Sequence, residues 1–275
     1  MVATVDRFAT RDGTSLLVRR WPSTAGPAWA TVVLVHGLAE HSGRWNHVGS
    51  QLAAAGLDVE AMDLRGFGGS SGRRAWVERW SQLHDDLEER LVAIRAAGPN
   101  PVALYGHSMG GLIALGYVLD GRALPDVLVL SAPAMDVSIP AWKRALAQVL
   151  ARVAPTMRMA NGLDHDELCR VPAVVAAYGP DPMNVHTSTV GFGVRAFTEQ
   201  RRVAAAIGRL SLPTLVIHGG EDRIVPTAGS EVFEGRAGVT RRVYPGIRHE
   251  LHNEPEGPAI LDDVIAWLRD HLPRR

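Results

Sequence analysis

The amino-acid sequence predicts an α/β fold, in which helices flank a mostly parallel, eight-stranded sheet and a helical cap is inserted after the sixth strand. Short apolar strands alternate with longer amphipathic helices through most of the chain, which is typical of a parallel sheet. The runs at residues 31–35 and 127–130 are apolar without interruption or nearly so, as in strands that are buried on both faces. The alternation lapses between about residues 132 and 191, where six prolines occur.

The first two strands, at residues 4–8 and 16–20, are separated by the turn Arg11-Asp12-Gly13-Thr14, so we expect a hairpin at the antiparallel edge of the sheet. The other strands are predicted at residues 31–35, 57–62, 101–105, 127–130, 212–218 and 240–244. Helices are predicted at residues 46–55, 80–97, 109–119, 195–210 and 258–272. These elements predict a single domain, with a core of residues 1–131 and 192–275 and a cap at about residues 132–191.

The composition excludes several classes of function. The chain has 275 residues, of which 46% are hydrophobic, and this is enough for one large core. Lys plus Arg and Asp plus Glu both number 29, so no net charge favours binding to nucleic acid. Cys169 is the only cysteine, which leaves no disulfide within the chain and no thiolate metal site. No signal peptide or membrane-spanning stretch is evident, and we expect a cytoplasmic protein.

Two short patterns resemble sites for a cofactor or a metal. Gly66-x-Gly68 lacks the third glycine and the helix opening that a dinucleotide site needs. The segment from Asp164 to Asp166, with Cys169, does not have the ligand spacing of structural zinc and is better explained as a solvated loop. We therefore expect neither a cofactor nor a metal.

The strongest functional signal is a Gly-x-Ser-x-Gly motif at the junction between a predicted strand and a predicted helix. Ser108 occupies its centre, and Gly106 and Gly110 leave the space that a sharp strand-to-helix turn requires. Such a turn lifts the serine hydroxyl clear of the sheet, while the helix directs its free N–H groups toward charge that develops in acyl transfer. Ser108 is therefore predicted to be a nucleophile.

A second loop is expected beside this serine. The strand at residues 31–35 ends in His36-Gly37-Leu38, and Gly37 lets the backbone turn so that the Leu38 N–H faces the serine. Together with the Met109 N–H it would form a two-donor oxyanion hole. His36 is interpreted as a structural residue of this loop, because a better candidate for the base lies downstream.

A serine nucleophile needs a base, and the base needs an acid that holds its tautomer. Asp222 follows the strand at residues 212–218, and His249 follows the next strand, at residues 240–244. The chain order is then Ser108, Asp222, His249. Asp136, after the sixth strand, is the fallback acid.

One helix of the predicted cap leaves two interpretations open. Its apolar face comprises Trp142, Leu146, Val149, Leu150 and Val153, with charged and polar residues opposite. The face either packs on the core like that of an ordinary helix, or it roofs an acyl pocket and makes transient contact with lipid aggregates or a membrane surface.

Five motifs distributed along the chain are shared with a known family. They are His36-Gly-x-x-Glu40-His41-Ser42-Gly43-Arg44, Asp63-x-x-Gly66-x-Gly68-x-Ser70-x-Gly72, Gly106-His-Ser-Met-Gly-Gly111, Gly219-x-x-Asp222-Arg223 and Tyr244-x-Gly-x-x-His249-x-x-His252-x-Glu254. With them the sequence resembles the α/β-hydrolase superfamily and, within it, the monoacylglycerol lipase and lysophospholipase group.

The resemblance implies a catalytic triad of Ser108, Asp222 and His249, with the oxyanion hole at Leu38 and Met109. It also implies that four residues surround the glycerol head group of the substrate, namely Glu40, Arg44, His252 and Tyr178. The expected function is hydrolysis of carboxylic esters of one medium or long acyl chain, foremost monoacylglycerol, through an acyl-enzyme on Ser108. A general carboxylesterase, a lysophospholipase and, more remotely, a non-catalytic ligand-binding receptor on a hydrolase scaffold are the alternatives.

Overall fold

Eight of the ten strands in the described part of the chain form one sheet. The computed structural model describes residues 2–136 and 140–273. The strands are β1 (Thr4–Ala9), β2 (Ser15–Trp21), β3 (Ala30–Val35), β4 (Leu57–Met62), β5 (Val102–His107), β6 (Val127–Ser131), β7 (Arg158–Ala160), β8 (Thr187–Thr189), β9 (Thr214–Gly219) and β10 (Val239–Tyr244). The order in the main sheet is β1-β2-β4-β3-β5-β6-β9-β10.

The sheet is parallel except at one edge, where β1 pairs with β2 and β2 pairs with β4 in antiparallel register. Within this sheet, every neighbouring pair along the order β4-β3-β5-β6-β9-β10 is parallel. This confirms the predicted α/β fold class and the hairpin at the antiparallel edge.

Helices cover both faces of the sheet. They are α1 (Asn46–Ala54), α2 (Ser81–Ala97), α3 (Met109–Val118), α4 (Ala141–Val153), α5 (Pro172–Tyr178), α6 (Val190–Ala206) and α7 (Gly257–His271). Leu87 of α2, Ile113 of α3 and Val203 of α6 are fully buried in one apolar layer, and Leu52 of α1 and Val264 of α7 in the other. Each such side chain contributes about 1.5–3 kcal/mol by leaving water, which explains why the apolar patterning predicted these helices.

The segment between β6 and α6 contains elements that the sequence pattern did not predict. Strands β7 and β8 have three residues each and form a separate antiparallel pair, too short to show a period. Helix α6, predicted from residue 195, begins at Val190. The hydroxyl oxygen of Thr189 accepts the N–H of Phe192 and caps the helix, while Gly191 and Gly193 weaken the helical signal of its first turns.

Helix α4 exposes its apolar face to solvent. Trp142, Leu146, Val149 and Val153 are 65%, 50%, 56% and 76% exposed, while Leu150 is half-buried. The interpretation that this face packs on the core is therefore wrong. The opposite side of the helix contacts α6, where the Arg144 guanidinium lies 5.3 Å from the centre of the Phe197 ring.

Among residues 2–136 and 140–273, no helix has both the length and the apolar character that are needed to cross a bilayer.

The turn after β5 is packed so tightly that one glycine is irreplaceable. A Cβ atom on Gly110, in the first turn of α3, would lie 2.1 Å from the carbonyl oxygen of Val35 in β3. We expect Gly110→Ala to lower the free energy of unfolding by about 3 kcal/mol, because the backbone of a central strand cannot move aside. Urea denaturation followed by circular dichroism measures this change.

Gly193→Ala is the matched control. A Cβ atom there meets no atom within 4 Å, and Gly193 lies inside α6. The substitution should raise the free energy of unfolding by about 0.5–1 kcal/mol through helix propensity. Equal effects of the two substitutions would contradict the packing argument.

Candidate active site

Ser108 lies on a strained turn between β5 and α3. Its φ of 53° and ψ of −118° are unusual for a residue with a side chain, and such a conformation costs about 1–3 kcal/mol. Three backbone hydrogen bonds hold it: the Ser108 N–H donates to the Ser131 carbonyl, and the Ser108 carbonyl accepts from the N–H groups of Leu112 and Ala134. These bonds to β6, to the residues after it and to α3 compensate for the strain. The side chain projects at the carboxyl end of the sheet.

A continuous hydrogen-bond chain joins the three residues that the sequence predicted as a triad. The Ser108 hydroxyl donates to Nε2 of His249 over 2.9 Å, and Nδ1–H of His249 donates to Oδ2 of Asp222 over 2.7 Å. The other oxygen of Asp222 accepts from the N–H groups of Ile224 and Val225. Because β5, β9 and β10 are parallel, the residues after their carboxyl ends meet at one edge of the sheet.

The charges of this chain stabilise each other. Burial opposes the charged form of both partners. Nevertheless, the charge of His249 and the hydrogen bonds from His218 and His249 hold the pKa of Asp222 well below its usual range. In return, the Asp222 carboxylate raises the pKa of His249 above the ordinary value for histidine. The Asp222 carboxylate therefore stabilises the imidazolium that forms beside Ser108 when His249 takes up a proton.

The two alternative residues are engaged elsewhere. Asp136 has a side chain that is 65% exposed and forms an ion pair with Arg144 over 3.0 Å. His36 is buried, and its Nε2 accepts the N–H of Leu64, so that Nδ1–H donates to the Gly37 carbonyl. With both nitrogens occupied, His36 acts as a structural residue of its loop.

A small cavity lies against Ser108. It has about 20 Å³ accessible to the centre of a water molecule, enough for one or two waters but not for an acyl chain. Its wall is formed by Gly37, Leu38, Glu40, His107, Ser108, Leu163, Leu168, Tyr178, His249 and Glu250. None of the described side chains of α4 belongs to this wall, so the interpretation that the apolar face of α4 roofs the pocket is not met.

Both residues predicted to form the oxyanion hole adjoin Ser108. Leu38 lines the cavity, and Met109 is the first residue of α3, where the N–H groups have no acceptor within the helix. The loop that carries Leu38 is held by the Gly37 N–H, which donates to the Glu40 carboxylate over 2.6 Å.

The four residues predicted to surround a glycerol head group divide into two pairs. Glu40 and Tyr178 line the cavity. Arg44 does not: its guanidinium donates to Glu40 over 2.8 Å and to both oxygens of Glu250 over 2.5 and 2.7 Å. Burial disfavours the charge of Arg44, but the carboxylates of Glu250 and Glu40 outweigh this effect and raise its pKa.

His252 also lies outside the cavity wall. Its ring stacks on Trp45 with the centroids 4.2 Å apart and meets the edge of His107, which does line the cavity. Neither ring nitrogen has a hydrogen-bond partner among the described residues. Burial lowers the pKa of His252 well below its ordinary value, so the ring is neutral.

Sequence reasoning missed several residues of the cavity wall. Glu250 directly follows His249, and His107 directly precedes Ser108, so adjacency to the predicted triad was the available signal. Leu163 and Leu168 lie between β7 and α5, outside the helical pattern that the sequence shows in the predicted cap. In the described part of the chain, no cluster of three His, Cys, Asp or Glu residues has the geometry to hold a metal ion.

The ion cluster of Arg44, Glu40 and Glu250 makes a prediction about stability. Arg44→Ala leaves two buried carboxylates without their cation, and we expect the free energy of unfolding to fall by about 3–5 kcal/mol. Arg223→Ala is the control, because the Arg223 side chain is 74% exposed and pairs with Glu167 over 3.1 Å. That substitution should cost less than about 1 kcal/mol. Similar midpoints of urea unfolding for both variants would show that the cluster contributes nothing.

Comparison with known proteins agrees with this geometry. Residues 26–256 match the family model described as serine aminopeptidase, S33. The monoacylglycerol lipase of Mycolicibacterium smegmatis is 39% identical in an alignment 279 positions long, which covers 96% of this chain and 96% of that protein. The monoglyceride lipase of Homo sapiens is 32% identical, over 94% of this chain and 88% of its own.

A solved structure shows the same relationship. The crystal structure of the monoacylglycerol lipase from Paleococcus ferrophilus superimposes with a TM-score of 0.83 at 31% identity, over 93% of this chain and 99% of that chain. The motifs, the sheet order and these similarities agree, and the chain belongs to the serine aminopeptidase S33 family of α/β-hydrolases, in its monoacylglycerol lipase group.

Proposed function

We propose that this protein is a serine hydrolase that cleaves monoacylglycerol to a fatty acid and glycerol. The observation that carries the proposal is the hydrogen-bond chain from Ser108 through His249 to Asp222, buried beside a cavity at the carboxyl end of the sheet. The substrate class is supported by relatives named monoacylglycerol lipase, which align over nearly the whole chain.

In the proposed first step, the Ser108 oxygen attacks the ester carbonyl carbon while Nε2 of His249 takes the hydroxyl proton. The Asp222 carboxylate stabilises the imidazolium and keeps Nδ1 protonated. The N–H groups of Leu38 and Met109 donate to the oxyanion of the tetrahedral intermediate. His249 then protonates the departing glycerol oxygen, the carbonyl–oxygen bond breaks, and the acyl chain stays on Ser108.

In the second step, a water molecule replaces glycerol. His249 accepts its proton, the resulting hydroxide attacks the acyl carbon, and the carbonyl–Ser108 bond breaks as His249 returns the proton to the serine oxygen. The products are a fatty acid and the free enzyme. The cavity has room for this water after glycerol has left.

Glycerol recognition is proposed to rest on the polar part of the cavity wall. Glu40 offers carboxylate oxygens to the free hydroxyl groups, and Tyr178 bounds the same space. Arg44 supports this wall from outside through its ion pair with Glu40, and His252 does so by stacking on the ring of Trp45. A second acyl chain in this region would bury such polar groups without partners, at about 1–3 kcal/mol each. Monoacylglycerol is therefore favoured over diacylglycerol.

The exposed face of α4 is proposed to make transient contact with lipid aggregates or a membrane surface. Trp142, Leu146, Val149 and Val153 form one continuous stripe along the helix, each at least half exposed. Lys143 and Arg152 flank it and are suited to anionic head groups.

The pH dependence of hydrolysis tests the proposed base. Only neutral His249 accepts the serine proton, so kcat/KM should fall about tenfold per pH unit on the acid side of its pKa. Because Asp222 raises that pKa, the fall should begin at a higher pH than for free histidine, near 6.5. A rate that stays constant from pH 8 to about pH 5 would exclude a histidine base.

Asp222→Asn and Asp136→Asn complete this test as a matched pair. The first should lower kcat by about 10⁴-fold, because the asparagine stabilises the wrong tautomer of His249. The second should leave kcat unchanged, since Asp136 lies on the surface. The opposite pattern would assign the acid to Asp136.

A panel of lauroyl esters tests the substrate. We expect kcat/KM for 1-lauroylglycerol to exceed that for dilaurin, lauroyl-lysophosphatidylcholine and methyl laurate by about tenfold or more, because only 1-lauroylglycerol presents a pair of free hydroxyl groups to the polar wall. Ser108→Ala is the control and should hydrolyse none of them and resist fluorophosphonate labelling. Equal values for 1-lauroylglycerol and methyl laurate would indicate a general carboxylesterase. A preference for the lysolipid would indicate a lysophospholipase.

A further inference from the structure

The loop that carries Leu38 is held in place by the segment between β6 and α6. Ala39 has a φ of 66°, a left-handed conformation that L-residues with a side chain rarely adopt. Its carbonyl oxygen accepts two hydrogen bonds from that segment, one from the Tyr178 hydroxyl and one from the Val185 N–H, each 3.1 Å long. Ala39, Tyr178 and Val185 are all buried, so water does not compete for these bonds.

A third contact lies two residues farther along the loop, at His41. Nε2–H of His41 donates to Oδ2 of Asp181 over 2.9 Å, and Nδ1 of His41 accepts the N–H of Gly43. This assigns the proton of a neutral His41 to the nitrogen that faces Asp181. The contacts at Ala39 and His41 therefore clamp two successive points of the loop to the same partner.

That partner is itself rigid. The Asn184 side-chain amide donates to the Tyr178 carbonyl over 2.8 Å, and the Met183 N–H donates to the Asp181 carboxylate over 2.8 Å. The turn from Tyr178 to Val185 is thus closed by its own hydrogen bonds. It presents two donors and one carboxylate to the loop as a single unit, which we name the clamp turn.

We propose that Tyr178 is a positioning residue, through which the clamp turn sets the oxyanion hole. Leu38 lies between Gly37, whose N–H is fixed by Glu40, and Ala39, whose carbonyl is fixed by Tyr178 and Val185. The Gly37–Leu38 peptide unit lies between these two fixed points, and its own carbonyl accepts from His36, so the direction of the Leu38 N–H is restrained from both sides. This inference rests on the proposed esterase function, because the hole acts only when a tetrahedral intermediate forms on Ser108.

The hydroxyl of Tyr178 has one proton, and the Ala39 carbonyl accepts it. Tyr178 can therefore donate to a glycerol hydroxyl only by giving up its own hydrogen bond to the loop. A positioning role and a role in head-group binding consequently predict different kinetics. The first affects every ester alike, and the second affects only esters that carry free hydroxyl groups.

The test is Tyr178→Phe, which removes the hydroxyl and keeps the ring. We expect kcat to fall about tenfold for both 1-lauroylglycerol and methyl laurate with KM unchanged, less than the 10²–10³-fold loss of an oxyanion donor itself. Tyr117→Phe is the matched control, because the buried Tyr117 hydroxyl also donates to an alanine carbonyl, that of Ala123, over 2.7 Å. It should leave kcat unchanged. A higher KM for 1-lauroylglycerol alone, or unchanged kinetics, would overturn the proposal.

Hydrogen exchange gives a readout that does not depend on turnover. Amides of residues 38–41 should exchange faster in Tyr178→Phe than in the wild type or in Tyr117→Phe, and unchanged exchange there would overturn the proposal. The failure of the proposed function looks different, since wild-type protein would then hydrolyse none of the lauroyl esters. Faster exchange with unaltered kcat in an active enzyme would also overturn the positioning role.

Discussion

The strained backbone at Ser108 is the constraint on which the rest of the site depends. A left-handed residue with a side chain persists only where its surroundings fix it, and here the fixing groups come from β6, from the segment after it and from α3. The contact between Gly110 and Val35 adds the central strand β3. Any loosening of the sheet around β5 would therefore relax the serine first. The contacts that fix the catalytic geometry are thus also contacts within the folded core.

Parallel strand order then accounts for the other members of the site. Asp222 and His249 follow β9 and β10, which lie beyond β6 on the same side of β5. Burial alone would disfavour both charges, and their 2.7 Å hydrogen bond compensates for it. In a second buried cluster, the Arg44 guanidinium pairs with the carboxylates of Glu40 and Glu250, which also line the cavity. In both groups each buried carboxylate has a hydrogen-bonded partner, Arg44 in the cluster and His249 in the triad.

The sequence predicted those features that local rules control and missed those that depend on tertiary contacts. Continuous apolar strands and the glycines around Ser108 have one physical interpretation, so the sheet and the turn followed directly. An amphipathic pattern identifies a helix and its apolar face, but it does not say what the face meets, and the stripe on α4 meets solvent. The pairing of Arg44 with Glu250 joins residues 206 positions apart, and no local pattern encodes it.

Substrate entry and catalysis make different demands on the segment between β6 and α6. An acyl chain cannot enter a cavity of about 20 Å³ unless part of this segment moves. The clamp turn is a poor candidate for the moving part, because its release would free the Ala39 carbonyl and relax the loop at Leu38. Leu163 and Leu168 meet the opposite condition: they line the cavity from the same segment and lie outside the clamp turn. A displacement of these two leucines would widen the cavity while the clamp turn still holds the loop at Leu38, so substrate entry does not require the support of the oxyanion hole to move.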